Sequence, residues 1–265
     1  MRYFFEISYN GKNYHGWQVQ PNAHSIQETV EKALFTILRE KITITASGRT
    51  DTGVHCIRQF FHADIEKELD LDKVLLQLNI FLPKDIALRA IVPVTPEANA
   101  RYDAFERTYE YHITLVKDPL KAGMAYHYFK ELDVPTMNKG AALLRGTHDF
   151  QCFSKVNTDV NHFICTIKKA KWNQKGTGLV FTITGNRFLR SMVRAIVGTL
   201  LDVGTGKISV EELAKILKGK DRKKAGMNAP PEGLYLVDVK YPKRIFFKDY
   251  FHDRKLKADQ WKKKK

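Results

Sequence analysis

Three cysteines in 265 residues, Cys56, Cys152 and Cys165, are too few and too scattered to staple a fold with disulfides. That scarcity points to a reducing cytoplasm. No run approaches the ~20 consecutive apolar residues needed to cross a bilayer. The opening MRYFFEISYNG carries one positive charge and a short apolar stretch interrupted by Glu6, which reads as a strand and not as a signal peptide. Metal-ligand spacing is also missing. His148, Cys152, His162 and Cys165 do not pair at the short intervals of zinc sites, and Cys165 alternates with Phe163 and Ile167 as a core strand residue would. GTGKIS (204–209) lacks both the earlier glycine and the Ser or Thr of a phosphate loop, and it follows a helical pattern instead of a strand.

Acidic residues are the other shortage. Lys plus Arg is 44 against 29 Asp plus Glu, a formal charge of +15. A polyanionic partner follows, most simply a nucleic acid. Residues 243–265 hold ten Lys or Arg and three Asp, hence +7, and read equally as an arm that brushes phosphate or as a solubilising end. The remaining +8 belongs to the body. A chain that is 43% hydrophobic and 28% charged is that of a globular protein with a sizeable core.

The periodicities give two α/β units. In the first (1–103), RYFFEISY is a strand. SIQETVEKALFTILRE is a helix with a capping box at Ser25 and Glu28, and KITITAS a strand by its alternation of Ile42, Ile44 and Ala46. IRQFFHADI, LDKVLLQLNIFL and DIALRAIVPV follow as strand, helix and strand. The second (104–242) contains the strand AFERTYEYHITLV, the helix VPTMNKGAALLRG and an antiparallel pair, HFICTIKKAKW with GLVFTITG. The helices FLRSMVRAIVGTLLDVG and ISVEELAKILKG come next, the latter with a capping box at Ser209 and Glu212, and GLYLVDVKY closes the unit. A cleft between two such lobes is where a substrate binds.

Three clusters carry chemistry. GRTDTGVH (48–55) places Asp51 in a glycine-bounded turn, with Arg49 two residues away to favour its ionised form; an aspartate that merely caps the turn is the alternative. The helix expected from Phe188 to Asp202 carries an apolar stripe and, at spacings of three and four, Arg187, Arg190 and Arg194. That is either a solvated face or a track for phosphates. Phe105, Arg107, Tyr109 and Tyr111 share one strand face, and Tyr9, Tyr14, Trp17, Gln18 and Gln20 fill the N-terminal loop. A core aromatic is the default reading for Tyr109 and Tyr111, though beside arginine they also suit stacking on unpaired bases, and the loop's flat rings and amides suit single-stranded or looped RNA.

Taken in order, Y-x-G-x-x-Y-x-G-W-Q-x-Q (9–20), G-R-T-D-x-G-V-H, R-T-Y-x-Y (107–111), G-x-H-D-F (146–150), N-x-F-L-x-x-M-V-R-x-I-V-G (186–198) and E-G-L-Y-L (232–236) resemble the TruA-type tRNA pseudouridine synthases over residues 2 to 241. Thr52 stands where many members have alanine. The resemblance implies an α+β fold in which two similar lobes share one continuous, mainly antiparallel mixed sheet with helices packed on it and a basic cleft between them. It implies Asp51 as the nucleophile that detaches uracil from its ribose before the base rejoins through carbon. Arg194 would be its partner, and Tyr109 the residue that stacks on the flipped base, with a part in proton transfer as a second role. Arg49 and Arg190 are then substrate-binding. No cofactor or metal is implied. The implied partners are the tRNA anticodon arm, with uridines 38 to 40 as targets, and a second copy in a homodimer. Two other readings are a synthase with a different or broader RNA target and an RNA-binding protein that has lost catalysis. Loss of Asp51 or Arg194 would mark the latter, and both are present.

Overall fold

The computed structural model describes residues 1–156 and 160–247. Residues 248–265, most of the basic tail, lie outside that description. One ten-stranded sheet forms the frame, with β1 (Arg2–Tyr9), β3 (His55–Asp64), β4 (Ile86–Pro93), β5 (Glu106–Thr114), β7 (Gly146–Asp149), β8 (Ile164–Lys175), β9 (Gly178–Gly185) and β10 (Leu234–Lys240) in the order β4-β1-β3-β10-β5-β9-β8-β7. The short β2 (Thr45–Ala46) pairs with β3, and β6 (Tyr126–His127) with β5. Helices α1 (Ile26–Leu38) and α2 (Leu71–Phe81) belong to the first half, and α3 (Val134–Leu143), α4 (Met192–Gly204) and α5 (Val210–Gly219) to the second.

The apolar alternation of the strands builds two cores. In the first, Phe5 and Phe61 stack at 4.8 Å with Trp17 beside them, while Phe4 meets Phe60, Tyr241 and Phe246. With both faces covered, β1 is buried along nearly its whole length. The second core gathers Trp172 and Phe181 of the β8–β9 pair with the apolar side chains of α3, α4 and α5. Cys152 and Cys165 lie in it, and burial pushes their thiols up, to about 12 and about 11.

Several elements depart from the sequence reading. Only Thr45–Ala46 of KITITAS is paired; Ile42 and Ile44 are buried without joining a ladder, so alternation reported burial and not strand pairing. Ser25 caps α1 by accepting the Glu28 N–H, whereas the reciprocal capping box is complete only at Ser209 and Glu212. β10, expected to close the second unit, lies at the centre. It runs parallel to β3 and antiparallel to β5. The chain continues past it, where Ile245 is buried and Phe246 bridges Val94, so residues 243–247 dock on the first core.

This crossing sets the site. Leu236 pairs with Cys56 on one side and with Tyr109 on the other. The strand leaving the Asp51 loop and the strand carrying Tyr109 are thus held one strand apart.

Candidate active site

The loop between β2 and β3 hangs from the N-terminal segment. Trp17 donates its N–H to the Thr50 carbonyl at 3.2 Å, Gly53 donates to Tyr14 O at 3.2 Å, and the Tyr9 hydroxyl meets Thr50 Oγ1 at 2.8 Å. His55 accepts the Gly11 N–H on Nδ1 at 3.2 Å and turns Nε2 toward the Glu232 carbonyl at 3.2 Å. Gly16 has φ +88°, and a Cβ there would lie 2.4 Å from Thr50 O, so only glycine allows this approach. Tyr9, Tyr14 and Trp17 are buried. Their expected role as stacking surfaces for RNA is corrected: they are packed scaffold beneath the loop, because their rings are consumed by the first core.

The second half of the site comes from α4. Its first residue is Met192, so Arg187 and Arg190 precede the helix and do not form a track along it. The helix is buried almost all round; only Arg194, Gly198 and Asp202 escape full burial, a stripe at i, i+4, i+8. The segment 226–229 lies over that stripe. Gly226 donates its N–H to Thr199 Oγ1 at 2.9 Å, and a Cβ on Gly198 would lie 1.7 Å from Met227 O. Arg194 donates Nε–H to Ala229 O at 2.7 Å, while Ala229 returns its N–H to Arg194 O at 3.0 Å.

These two halves bring Asp51 and Arg194 together. Arg194 Nη1 stands 3.6 Å from Asp51 Oδ2, with the side chains 18% and 27% exposed. The pair is therefore shielded from water more than a surface salt bridge but is not sealed. Ser191, the residue before α4, donates its hydroxyl to the same Oδ2 at 3.1 Å. Sequence reasoning missed Ser191, since nothing in the apolar period marks it. It also missed segment 226–231, in which Ala229 anchors Arg194 and the Pro230 carbonyl accepts the Tyr111 hydroxyl at 2.8 Å; the E-G-L-Y-L motif begins just after it, at Glu232, whose carbonyl meets His55.

Tyr109 is half-buried on β5, its ring edge-on to Phe188 with centroids 5.1 Å apart. Desolvation first, then Cys56 and Asp51 nearby, push its phenol up to about 12 against the opposing pull of Arg107. It holds its proton at neutral pH. Arg107 donates to the carbonyls of Ala104, Arg101, Ser47 and Asn186, tying the Asp51 side to the α4 side. It is a bracket between these segments. Burial lowers its pKa, and the charges of Arg101 and Arg187 add to that. Tyr111 is fully buried. Arg49 and Arg190 are exposed, each beside a residue that frames the carboxylate, and Arg187 contacts His162.

Comparison with known proteins adds what geometry cannot. The family model described as tRNA pseudouridine synthase matches residues 7–103 and 141–242. The chain belongs to the tRNA pseudouridine synthase family. It is 49% identical over 247 residues to tRNA pseudouridine synthase A of Bacteroides fragilis, covering 92% of this chain and 98% of that protein. The corresponding protein of Parabacteroides distasonis is 47% identical over 246 residues, covering 92% and 98%. That of Bacillus subtilis is 40% identical over 245 residues, covering 91% and 99%. Among the described residues of this pseudouridine synthase, no helix is long and apolar enough to cross a membrane.

Proposed function

We propose that the protein isomerises uridine to pseudouridine in tRNA with Asp51 as nucleophile, acting on positions 38, 39 and 40 of the anticodon arm. The reaction breaks the N1–C1′ bond and forms a C5–C1′ bond; a proton leaves C5 and one is bound at N1, so no oxidant or reductant is consumed. The observation that carries the reading is the carboxylate of Asp51, held by Arg194 and Ser191 and one strand away from Tyr109. A nucleophilic carboxylate must be fixed in one rotamer, and the Ser191 hydroxyl and Arg194 guanidinium facing Oδ2 favour that. Tyr109, protonated and half-exposed, offers a ring face to an extruded uracil.

Arg49 and Arg190 hold the RNA backbone at the rim, supported by their exposure beside Asp51 and Ser191. The net charge of +15 supports a phosphate-rich partner, and a cytoplasmic setting agrees with three free, buried cysteines. The homodimer and the choice of uridines 38 to 40 rest on the family resemblance. The test is Asp51→Asn, nearly isosteric and unable to act as a nucleophile. Tritium release from 5-tritiated uridine in tRNA should be abolished in single-turnover reactions while tRNA affinity stays near parental, because phosphate contacts dominate it. Activity within about tenfold of the parent would end the assignment, since loss of a true nucleophile costs far more than that. Mapping pseudouridine in RNA from a deletion strain decides the target positions.

A further inference from the structure

Serine is among the best residues for starting a helix, because its hydroxyl accepts a first-turn N–H. Ser25 and Ser209 do this here, from extended backbones with φ −125° and φ −83°. Ser191 stands at the same position before α4 and makes no such bond. Its backbone is left-handed, φ 61° and ψ 4°, a conformation disfavoured for any residue with a Cβ. The hydroxyl is turned away from its own helix and donates to Asp51 Oδ2 at 3.1 Å.

Arg194 faces that same oxygen at 3.6 Å, beyond good hydrogen-bonding distance. Ser191 therefore makes the closer and more directional of the two contacts. Both fall on Oδ2, which leaves Oδ1 as the oxygen that neither engages. We propose that Ser191 is a positioning residue for the isomerisation: its hydroxyl locks the Asp51 rotamer so that Oδ1 is presented to the target nucleotide. The inference rests on Asp51 being the reacting group. The left-handed backbone is the means, since it carries the hydroxyl off the helix axis and across to the other lobe.

The rival account is purely structural: the left-handed residue only turns the chain into α4, where Leu189 O accepts the Met192 N–H. On that account glycine is the ideal occupant. The two accounts part on a pair of variants. Ser191→Gly relieves the backbone and removes the hydroxyl, whereas Ser191→Thr keeps the hydroxyl and adds a β-branch that the backbone resists.

The experiment follows single-turnover tritium release from full-length tRNA carrying 5-tritiated uridine, at saturating enzyme, with thermal melting and tRNA Kd measured on the same preparations. Ser191→Gly should melt at or above the parental temperature yet react roughly tenfold more slowly, the loss expected for one hydrogen bond to a charged group. Its Kd should not move. Ser191→Thr should melt lower and react faster than the glycine variant. A glycine variant that reacts at the parental rate overturns the inference, and so does a slowing explained wholly by Kd. Asp51→Asn is run alongside. If it stays active, the nucleophile assignment falls and this inference with it. If it is inert while Ser191→Gly is fully active, only the role of Ser191 falls.

Discussion

The Asp51 loop and the start of α4 meet across the site but are held by different means. The loop is suspended at several points from the N-terminal segment: by the N–H groups of Trp17 and Gly53, the Tyr9 hydroxyl and the imidazole of His55, which accepts the Gly11 N–H. Arg194 is held through one residue, Ala229, on both its side chain and its main chain. One side is tied at several points above buried aromatics, and through His55 it also meets the Glu232 carbonyl. The other depends on segment 226–229 lying over a helix stripe in which only Gly198 lacks a side chain. The Asp51 carboxylate is thus built into the half with more points of support, while Arg194, which faces it, comes from the half with more ways to shift.

The largest expected effect comes from removing the cation. Arg194→Met should slow the chemical step roughly a hundredfold, the scale for loss of a preorganised electrostatic partner. Arg194→Lys should recover only part of this. Arginine uses Nε on Ala229 O and Nη1 toward Asp51, and a single ammonium cannot serve both. Single-turnover rates at saturating enzyme decide it. A near-parental rate for the methionine variant would show that Asp51 draws its charge partner from elsewhere, with Arg49 the next candidate.

Next come the two glycines that permit each brace. Gly198→Ala drives a Cβ into the Met227 carbonyl and should pull Ala229 away from Arg194. Gly16→Ala meets Thr50 O and imposes a strained backbone. Both should melt several degrees lower, given roughly 1–3 kcal/mol of strain. The comparison predicts that Gly198→Ala resembles Arg194→Lys, with the rate lost and Asp51 still in place. Gly16→Ala should lower rate and stability together. Equal kinetic and thermal profiles for the two would erase the distinction drawn between the halves.

Much of this was legible in the sequence for reasons that also explain what was not. The Asp51 turn is announced within eight residues, and Arg194 sits in a dense apolar period, so local pattern reaches both. The period continues smoothly through Leu189, Met192 and Val193, which hides the left-handed break at Ser191 and places the helix start four residues too early. Tyr14 and Trp17 look like an RNA-binding loop because aromatics among Gly, Asn and Lys carry the same signature whether they face solvent or core. The central place of β10 is a non-local pairing of residues 234–240 with both β3 and β5. No window along the chain contains it. The bracing role of Ala229 follows only once that strand is placed.

A smaller effect is expected at Tyr109, which sits where the halves converge. Tyr109→Phe keeps the ring against Phe188 and should stay within a fewfold of the parent. Tyr109→Leu removes the π-face, worth ~1–3 kcal/mol per stacked base, and should be about tenfold or more worse in single-turnover rate. Should the two variants be equally inactive, the hydroxyl carries the role and proton transfer replaces stacking.

The smallest effect separates the braces by pH. The N-terminal half is held through two neutral imidazoles: His55 braces the Asp51 loop by accepting the Gly11 N–H, and His62, away from the loop, accepts the Ala100 N–H at 3.1 Å, each on Nδ1. Burial holds both below the ordinary imidazole value of 6.5, and in His62 the charge of Arg2 adds to it. Between that value and the lower folded ones the unfolded chain binds more protons. The stability these groups contribute is therefore complete above about pH 6.5 and declines as pH falls through the window, by up to ~1.4 kcal/mol per unit for each group. The carboxylates of exposed Asp64 and buried Glu106 have pKa values shifted down by their hydrogen-bonded cations, so their losses begin below about pH 4.5 and leave pH 5 to 7 to the histidines. Melting temperature should drop by a few degrees from pH 7 to pH 5, with protection of the Gly11 and Ala100 amides against hydrogen exchange lost before that of Ala229. His62→Gln should flatten part of the slope. A melting temperature unchanged over that range, or Ala229 opening first, would mean that the imidazoles are not what holds the N-terminal half.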